Sequence, residues 1–381
     1  MKFLHLADLH IGKKVNGFSM IDDQKFVLEQ VFDVVVEEKI DSILISGDVF
    51  DRSIPNISSL DVFGEFLSKI SELKVKIFII SGNHDSQERL SYLSSFLVKS
   101  NIFISPNFEG FIKKKSLNKD FDIFLIPYLH PSLIKKYFPD DKISSYNEAF
   151  EVLLANTKID KKKINIILAH QFVAKSYDEI IKSEGEEINV GGLDMINPNL
   201  FSDFDYCALG HLHCPQSVLG DKVCYGGSIL KYSFSEINQK KVFTILDIKS
   251  KNDIKISFKE IKFLHEMKEY KGFIDEFLDE KFYSKINKND YIKFILKDES
   301  VLDAKKKLNS IYPNIMLLEF DNSLTRNLNS ALGCDVNLNF AKNKNIFEHF
   351  CDFYELQTGS KLDETKEKIV LDVVQNLKGG F

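Results

Sequence analysis

Five short clusters in this 381-residue chain carry side chains that bind metal ions or move protons. They are Asp8 with His10, Asp48 with Asp51, Asn83 with His84 and Asp85, His170 alone, and His211 with His213. Imidazole, carboxylate and amide oxygen together form a mixed nitrogen and oxygen ligand set suited to manganese, iron or zinc. No cysteine belongs to the set, which argues against a structural zinc site. Asp8 and His10, like His211 and His213, stand two residues apart; on an extended segment such residues point the same way, so each pair is expected to converge on one site. A carboxylate has two oxygens and can bridge two ions, the role expected for Asp48. Gly47, Gly82 and Gly210, before Asp48, Asn83 and His211, are expected to let the backbone turn sharply. Each cluster alone has a plainer reading, because a strand-end Asp is often a helix cap and a single His is more often an ordinary hydrogen-bonded residue. The ordered set, each member at an expected strand end, points to metal binding.

Those strand ends belong to an alternation that runs to about residue 260. Apolar, β-rich runs at 2–7, 42–46, 76–81, 122–127, 165–169 and 206–209 read as buried strands, while 22–39, 58–73 and 87–98 repeat apolar residues at helical spacing. The pattern predicts an α/β domain over 1–262 whose helices cover a sheet, with ligands at the carboxyl ends of the strands. A strand at 291–296, a helix at 301–311 and a strand at 315–320 predict a small α+β domain over 263–322. The polar, Asn-rich stretch 323–343 is expected to be a linker. In 344–381, Phe347, Phe350, Phe353 and Tyr354, then Ile369, Val370, Val373 and Leu377, mark two amphipathic helices.

The formal charge of −6 argues against coating nucleic acid by bulk electrostatics. Any such contact must be local, through bound metal or through Lys13-Lys14, 113–115, 161–163 or 305–307, each of which reads more plainly as a solvated face. Five scattered cysteines fit a reducing compartment. No apolar run approaches the ~20 residues of a membrane-spanning helix, and the opening MKFLHLADLH is unlike a signal peptide, so a cytoplasmic protein is expected. Among the remaining histidines, His5 is assigned to the core, His130 neighbours the site without matching a ligand position, and His265 and His349 lie outside the catalytic region.

The ordered motifs D-x-H, G-D-x-x-D, G-N-H-D, H and G-H-x-H resemble the calcineurin-like metallophosphoesterase superfamily. Carried over position by position, the resemblance implies one ion on Asp8, His10, Asp48 and His213 and a second on Asp48, Asn83, His170 and His211. His84 matches the residue that contacts the phosphate and protonates the leaving oxygen, and Asp51 matches a position beside it, where it would orient the ring. Within the superfamily, FLHLADLHIGKK, GDVFDRSIP, ISGNHDS, VGGLDMINPNLFSDFDYCALGHLHCPQ, YGGSILKYSFSE and the C-terminal FEHFCDFYELQTGSKLDE are similar to the SbcD family of nuclease subunits. That likeness implies a two-sheet β-sandwich flanked by helices, a capping domain that presents DNA, and terminal helices that grip the coiled coil of an SbcC-like ABC-type ATPase in a heterotetramer. It also implies a homodimer through helices 58–73 and 87–98, with Leu60, Phe63, Leu67, Leu90, Leu93 and Leu97 as candidate interface residues. The implied activity is a manganese-dependent, ATP-coupled 3′→5′ exonuclease on double-stranded DNA, with endonuclease action on single strands and hairpins, in DNA repair. Two alternatives stay open: a small-molecule or cyclic-nucleotide phosphodiesterase on the same fold, and a DNA-tethering scaffold subunit whose metals are structural.

Overall fold

Runs such as Ser42–Ser46 and Ile164–His170 are buried along their whole length, as a parallel strand covered on both faces requires. The structure, a computed structural model, describes residues 1–321 other than 93, 106, 185 and 187–193, together with 350, 351, 354, 366, 367 and 370. One six-stranded sheet has the spatial order Asp253–Glu260, Val242–Ser250, Lys2–Leu6, Ser42–Ser46, Lys76–Ile80 and Ile102–Ile104. Its last four strands are parallel, and Val242–Ser250 runs antiparallel to Lys2–Leu6. A second sheet has the order Gln216–Leu219, Val223–Tyr225, Tyr206–Gly210, Ile164–His170, Phe121–Leu125 and Lys113–Ser116, parallel in the middle and antiparallel at both edges.

Side chains alternate between faces along each strand. Phe3, Leu44, Phe78 and Leu246 of the first sheet share one apolar cluster with Ile123, Ile166 and Tyr206 of the second. The sheets therefore stack face to face as a sandwich. Ile167 and Leu209 point the other way, into a cluster with Phe150 and Leu153 of the helix Tyr146–Ala155. The helix Ile21–Glu37 buries Val27, Val31 and Val34, and Ile57–Glu72 buries Val62, Phe63, Phe66 and Ile70. Six expected strands are present to within two residues at either end. Apolar alternation alone pointed to a single covered sheet; two are found, because strands buried on both faces look alike whichever sheet they join.

The single helix expected over 87–98 is instead two short ones, Gln87–Leu90 and Ser94–Leu97. Serines compete with helical hydrogen bonding here: Ser86 caps the first piece by accepting from Arg89 N, and Ser91 ends it. Of the candidate interface residues, Phe63 is buried in the core, Leu60 is 49% exposed, and Leu67, Leu90 and Leu97 are half-buried. Leu93 lies outside the described residues.

The chain divides into two compact units, Met1–Glu269 with Asn289–Lys293, and Tyr270–Lys288 with Phe294–Phe381; the expected division fell at 262. Met267–Gly272, Tyr291–Leu296 and Ile315–Phe320 form a three-stranded sheet in that order. The helix expected over 301–311 is limited to Ala304–Asn309. In the second unit the Phe277 and Phe294 rings lie 4.6 Å apart, and Tyr312 donates its hydroxyl to the Phe277 carbonyl at 2.6 Å. The linker 323–343 and most of the terminal helices, including Phe347 and Phe353, lie outside the described residues; Phe350, Tyr354 and Val370 are helical. Among the described residues no helix is long and apolar enough to cross a membrane.

At one end the sandwich narrows. Ser46 Oγ donates to the Ala208 carbonyl at 2.9 Å, and His170 Nδ1 lies 2.7 Å from the Ser46 carbonyl. A Cβ added at Gly210 would fall 2.0 Å from that same carbonyl oxygen. Space between the sheets, rather than a turn, fixes this glycine. Gly210→Ala is expected to destabilise the protein by about 1–3 kcal/mol, because a backbone carbonyl cannot step aside as a side chain can. Thermal melting of metal-free protein checks this, and an unchanged midpoint would show that the sheets separate easily here.

Candidate metal centre

Loops from both sheets meet where the sandwich narrows. Asp8 and His10 follow Lys2–Leu6, Asp48 and Asp51 follow Ser42–Ser46, Asn83 and His84 follow Lys76–Ile80, His170 ends its own strand, and His211 and His213 follow Tyr206–Gly210. All the expected ligand residues reach one place, by a route other than alternation along extended segments. The backbone is left-handed at Asp8 (φ 50°), His10 (43°) and Asp48 (48°), and φ is 103° at His211. Such conformations are uncommon away from glycine and gather at functional sites. They persist because the loops hold one another: Asp8 N donates to Gly47 O at 3.1 Å and His10 N to Asp48 O at 2.9 Å. Among the three glycines, only Gly47 has a positive φ, 88°. Gly82 instead makes room, since a Cβ there would lie 2.1 Å from Asp48 Oδ1.

Asp48 is central. Its Oδ2 lies 3.3 Å from His170 Nε2 and 3.5 Å from His10 Nε2, while Oδ1 accepts from His84 N at 2.9 Å. To one side, His10 Nε2 faces His213 Nε2 at 3.2 Å. To the other, Asn83 Oδ1 lies 3.0 Å from His170 Nε2 and 3.3 Å from His211 Nδ1. Asp8 accepts from His211 N at 2.9 Å and stands 4.0 Å from His170 Nε2. Ligand atoms of Asp8, His10 and His213 lie within 4.8 Å of one another, as do those of Asp8, Asp48 and His170, and those of His10, Asp48 and His84.

Hydrogen-bond partners outside the cluster fix the rings. The Ser46 carbonyl can only accept, so His170 Nδ1 carries a proton, and in the neutral ring the electron pair is on the inward-facing Nε2. Glu236 Oε1 holds His213 Nδ1 at 3.0 Å in the same way. Ring nitrogens and carboxylate oxygens therefore converge in a site whose Asp8, Asp48, His170, His211 and His213 are buried, while Asn83 and His84 are partly exposed. Burial lifts the Asp8 carboxyl to about 7, with Asp48 adding to the effect. Burial works against charge on His170 too, yet Asp48 and Asp8 carry that ring up to about 9. Burial, joined by the charge on His170, lowers His211 to about 3. Such a field calls for positive charge, and this donor set fits divalent cations of the manganese, iron or zinc type.

His84 is half-buried, with its ring 4.9 Å from that of His10. Its Nδ1 lies 3.1 Å from the backbone carbonyl of Asp51. The Asp51 carboxylate turns elsewhere, to Lys13 Nζ at 2.7 Å and His10 Nδ1 at 3.7 Å. Asp85 accepts from the backbone N–H groups of Gly82, Val49 and Phe50 at 2.9–3.0 Å, tying two ligand loops together. Sequence reasoning gave it no role. It also passed over Gln24, which donates to the His10 carbonyl at 2.7 Å and to the Tyr232 hydroxyl at 3.0 Å, and Glu186, which accepts from His213 N at 2.7 Å. Tyr232 and Glu236 sit inside the motif YGGSILKYSFSE, the one available signal for them.

Part of the lysine clusters is held by carboxylates: Lys113 by Glu109, Lys114 and Lys163 by Asp122, and Lys161 by Asp203. Lys14 and Arg52 instead line a cleft of about 350 Å³ that also touches Asp51, Ile54 and Asn56. His130 caps the helix Pro131–Tyr137, His5 is buried, and His265 pairs with Asp23 at 3.1 Å. His349 lies outside the described residues.

Residues 1–215 match a family model described as calcineurin-like phosphoesterase. Over 331 residues the chain is 35% identical to the SbcD component of the nuclease SbcCD from Staphylococcus epidermidis, covering 85% of this chain and 87% of that one. Among solved structures, a dimetal phosphatase from Danio rerio aligns with a TM-score of 0.42 at 11% identity, over 69% of this chain and 99% of that chain. GAP50, the anchor in the inner membrane complex of Plasmodium, aligns with a TM-score of 0.40 at 15% identity, over 70% and 90%.

Asp85→Asn keeps the size of the clasp but points an amide N–H₂ at backbone N–H groups. Losing charge-assisted bonds to buried donors is expected to destabilise by about 1.5–3 kcal/mol. The measurement is thermal melting of metal-free protein, where an unchanged midpoint would mean the two loops hold without it.

Proposed function

This chain belongs to the calcineurin-like phosphoesterase family, and within it to the SbcD family; on that premise we propose that it is a two-metal DNA nuclease working beside an SbcC-like ATPase. One observation carries the chemistry: the single carboxylate of Asp48 lies within 3.3–3.5 Å of imidazoles on both sides of the cluster. Asp8, His10, Asp48 and His213 would hold one ion, and Asp48, Asn83, His170 and His211 the other, with manganese as the proposed metal. Bound there, the ions supply charge to the phosphodiester oxygens and acidify water. His84 is not needed for either set. With Nδ1 donating to the Asp51 carbonyl, its Nε2 is left for substrate, where it can hold a proton for the leaving oxygen. Lys14 and Arg52, beside the cluster, are the cations proposed to meet the DNA backbone.

The proposed activities are 3′→5′ exonuclease action on duplex ends, coupled to ATP hydrolysis by the partner, and endonuclease action on single strands and hairpins. A homodimer through the 57–72 helix and the 87–97 segment is supported by apolar side chains left in solvent there: Ile57 78%, Leu60 49%, Tyr92 81% and Phe96 70% exposed. The terminal segment, with Phe347, Phe350, Phe353 and Tyr354, is the proposed anchor on the ATPase coiled coil.

His84→Ala is expected to bind its full complement of metal while turnover of an aryl phosphodiester and of DNA falls by about 10²–10⁴-fold. Metal analysis beside the kinetics decides: a metal-poor variant would make His84 a ligand, and near-normal turnover would end its role as proton donor. Removal of 340–381 is expected to leave a folded enzyme active on the aryl ester that no longer co-purifies with the ATPase or cuts duplex ends with ATP. Undiminished binding to the ATPase would place the partner site elsewhere.

A further inference from the structure

Behind the cluster lies an ion pair with no exposed side-chain surface: Lys241 Nζ stands 2.6 Å from Glu236 Oε2. Taking both charges out of water is costly, and an apolar pair of similar volume is often as stable or more so. Stability alone is therefore a poor reason for it. The geometry supplies a better one, because each member of the pair also contacts His213. Glu236 presents its other oxygen, Oε1, to His213 Nδ1 at 3.0 Å. Lys241 donates to the His213 backbone carbonyl at 2.8 Å and is held in turn by Ser228 Oγ and Gln239 Oε1, each at 2.9 Å. One pair thus grips the same residue at its ring and at its main chain. A carboxylate accepts only, so the neutral ring carries its proton on Nδ1 and an electron pair on Nε2, the atom that faces His10 Nε2 at 3.2 Å. Without Lys241, the buried carboxylate would have no fixed countercharge and no reason to keep this pose.

We propose that Glu236 and Lys241 form a positioning device for a divalent cation: Glu236 sets the tautomer and plane of the His213 ring, and Lys241 anchors both Glu236 and the His213 backbone. The proposal rests on the reading of His213 as a ligand. His170 is held differently, by the neutral Ser46 carbonyl at 2.7 Å. The charged support belongs to one of the two ion positions, so its loss should be felt there. Residues that orient a ligating histidine from behind commonly change metal affinity by about 10–100-fold.

The test compares metal-stripped full-length protein with two neutral double variants, Glu236→Leu/Lys241→Met and Glu236→Gln/Lys241→Met, by Mn²⁺ titration calorimetry with circular dichroism as the check on folding. The Leu/Met variant should bind one ion about 10–100-fold more weakly and the other nearly as before. The Gln/Met variant, which restores an oxygen acceptor for Nδ1–H, should recover most of that loss. Equal affinity in all three proteins overturns the proposal, as does a Gln/Met variant no tighter than Leu/Met. If the Leu/Met variant fails to fold, two-bond ¹H–¹⁵N correlation spectra of metal-free wild-type protein at pH 9 give the answer directly. They should place the His213 proton on Nδ1, and a proton on Nε2 overturns the proposal. Wild-type protein that binds no Mn²⁺ would instead refute the ligand reading, a result distinct from the other two.

Discussion

The close approach of the two sheets at Ser46 and Gly210 is the contact on which the rest of the molecule depends. Stacked sheets ordinarily stand about 10 Å apart with side chains between them. Here a carbonyl of one sheet leaves no room for a Cβ on the other. Ser46 uses its hydroxyl and its carbonyl across the gap, giving the first to the Ala208 carbonyl and receiving His170 Nδ1 on the second. The second of these bonds closes the sandwich and also sets the direction of an imidazole. Because the sheets meet at this end, loops leaving the carboxyl ends of strands in both can share a single cluster.

Bringing those loops together gathers acceptors that repel one another. Asp8 and Asp48 are buried side by side, and the backbone at Asp8, His10 and Asp48 is left-handed. Each such residue stores on the order of 1–3 kcal/mol of strain. The polypeptide sustains it with hydrogen bonds between loops and with the Asp85 clasp. Its field still pulls a proton onto His170, which is the response of a site that favours positive charge. A cation that binds only the folded chain would stabilise the same arrangement through mass action.

Overall charge and local charge point in opposite directions. A chain of net charge −6 gains little from long-range attraction to a polyanion, and several of its lysines are held by neighbouring carboxylates. Recognition of nucleic acid would then fall to the buried cluster and to the few cations beside it.

The sequence by itself determined the candidate ligand types, their order and their position at strand ends, because each is a local property: a buried parallel strand is an apolar run, and its terminus shows as Asp, His or Asn next to glycine. Family motifs extended this to the sandwich, and supplied the division of ligands between two ions that is proposed here. What only the tertiary structure decided are the contacts between residues far apart in the chain. His10 meets His213 across 203 positions and His170 meets Ser46 across 124. The left-handed backbone at Asp8 and His10 is such an outcome, imposed by the neighbouring loop where alternation on an extended strand was expected. So is the turn of the Asp51 carboxylate toward Lys13 and His10, leaving its carbonyl to His84. Glu236, Lys241, Gln24 and Tyr232 went unread for the same reason. A buried charge or amide looks like any surface residue in a sequence, and it acquires a role only when folding removes the water around it and leaves a histidine as its partner.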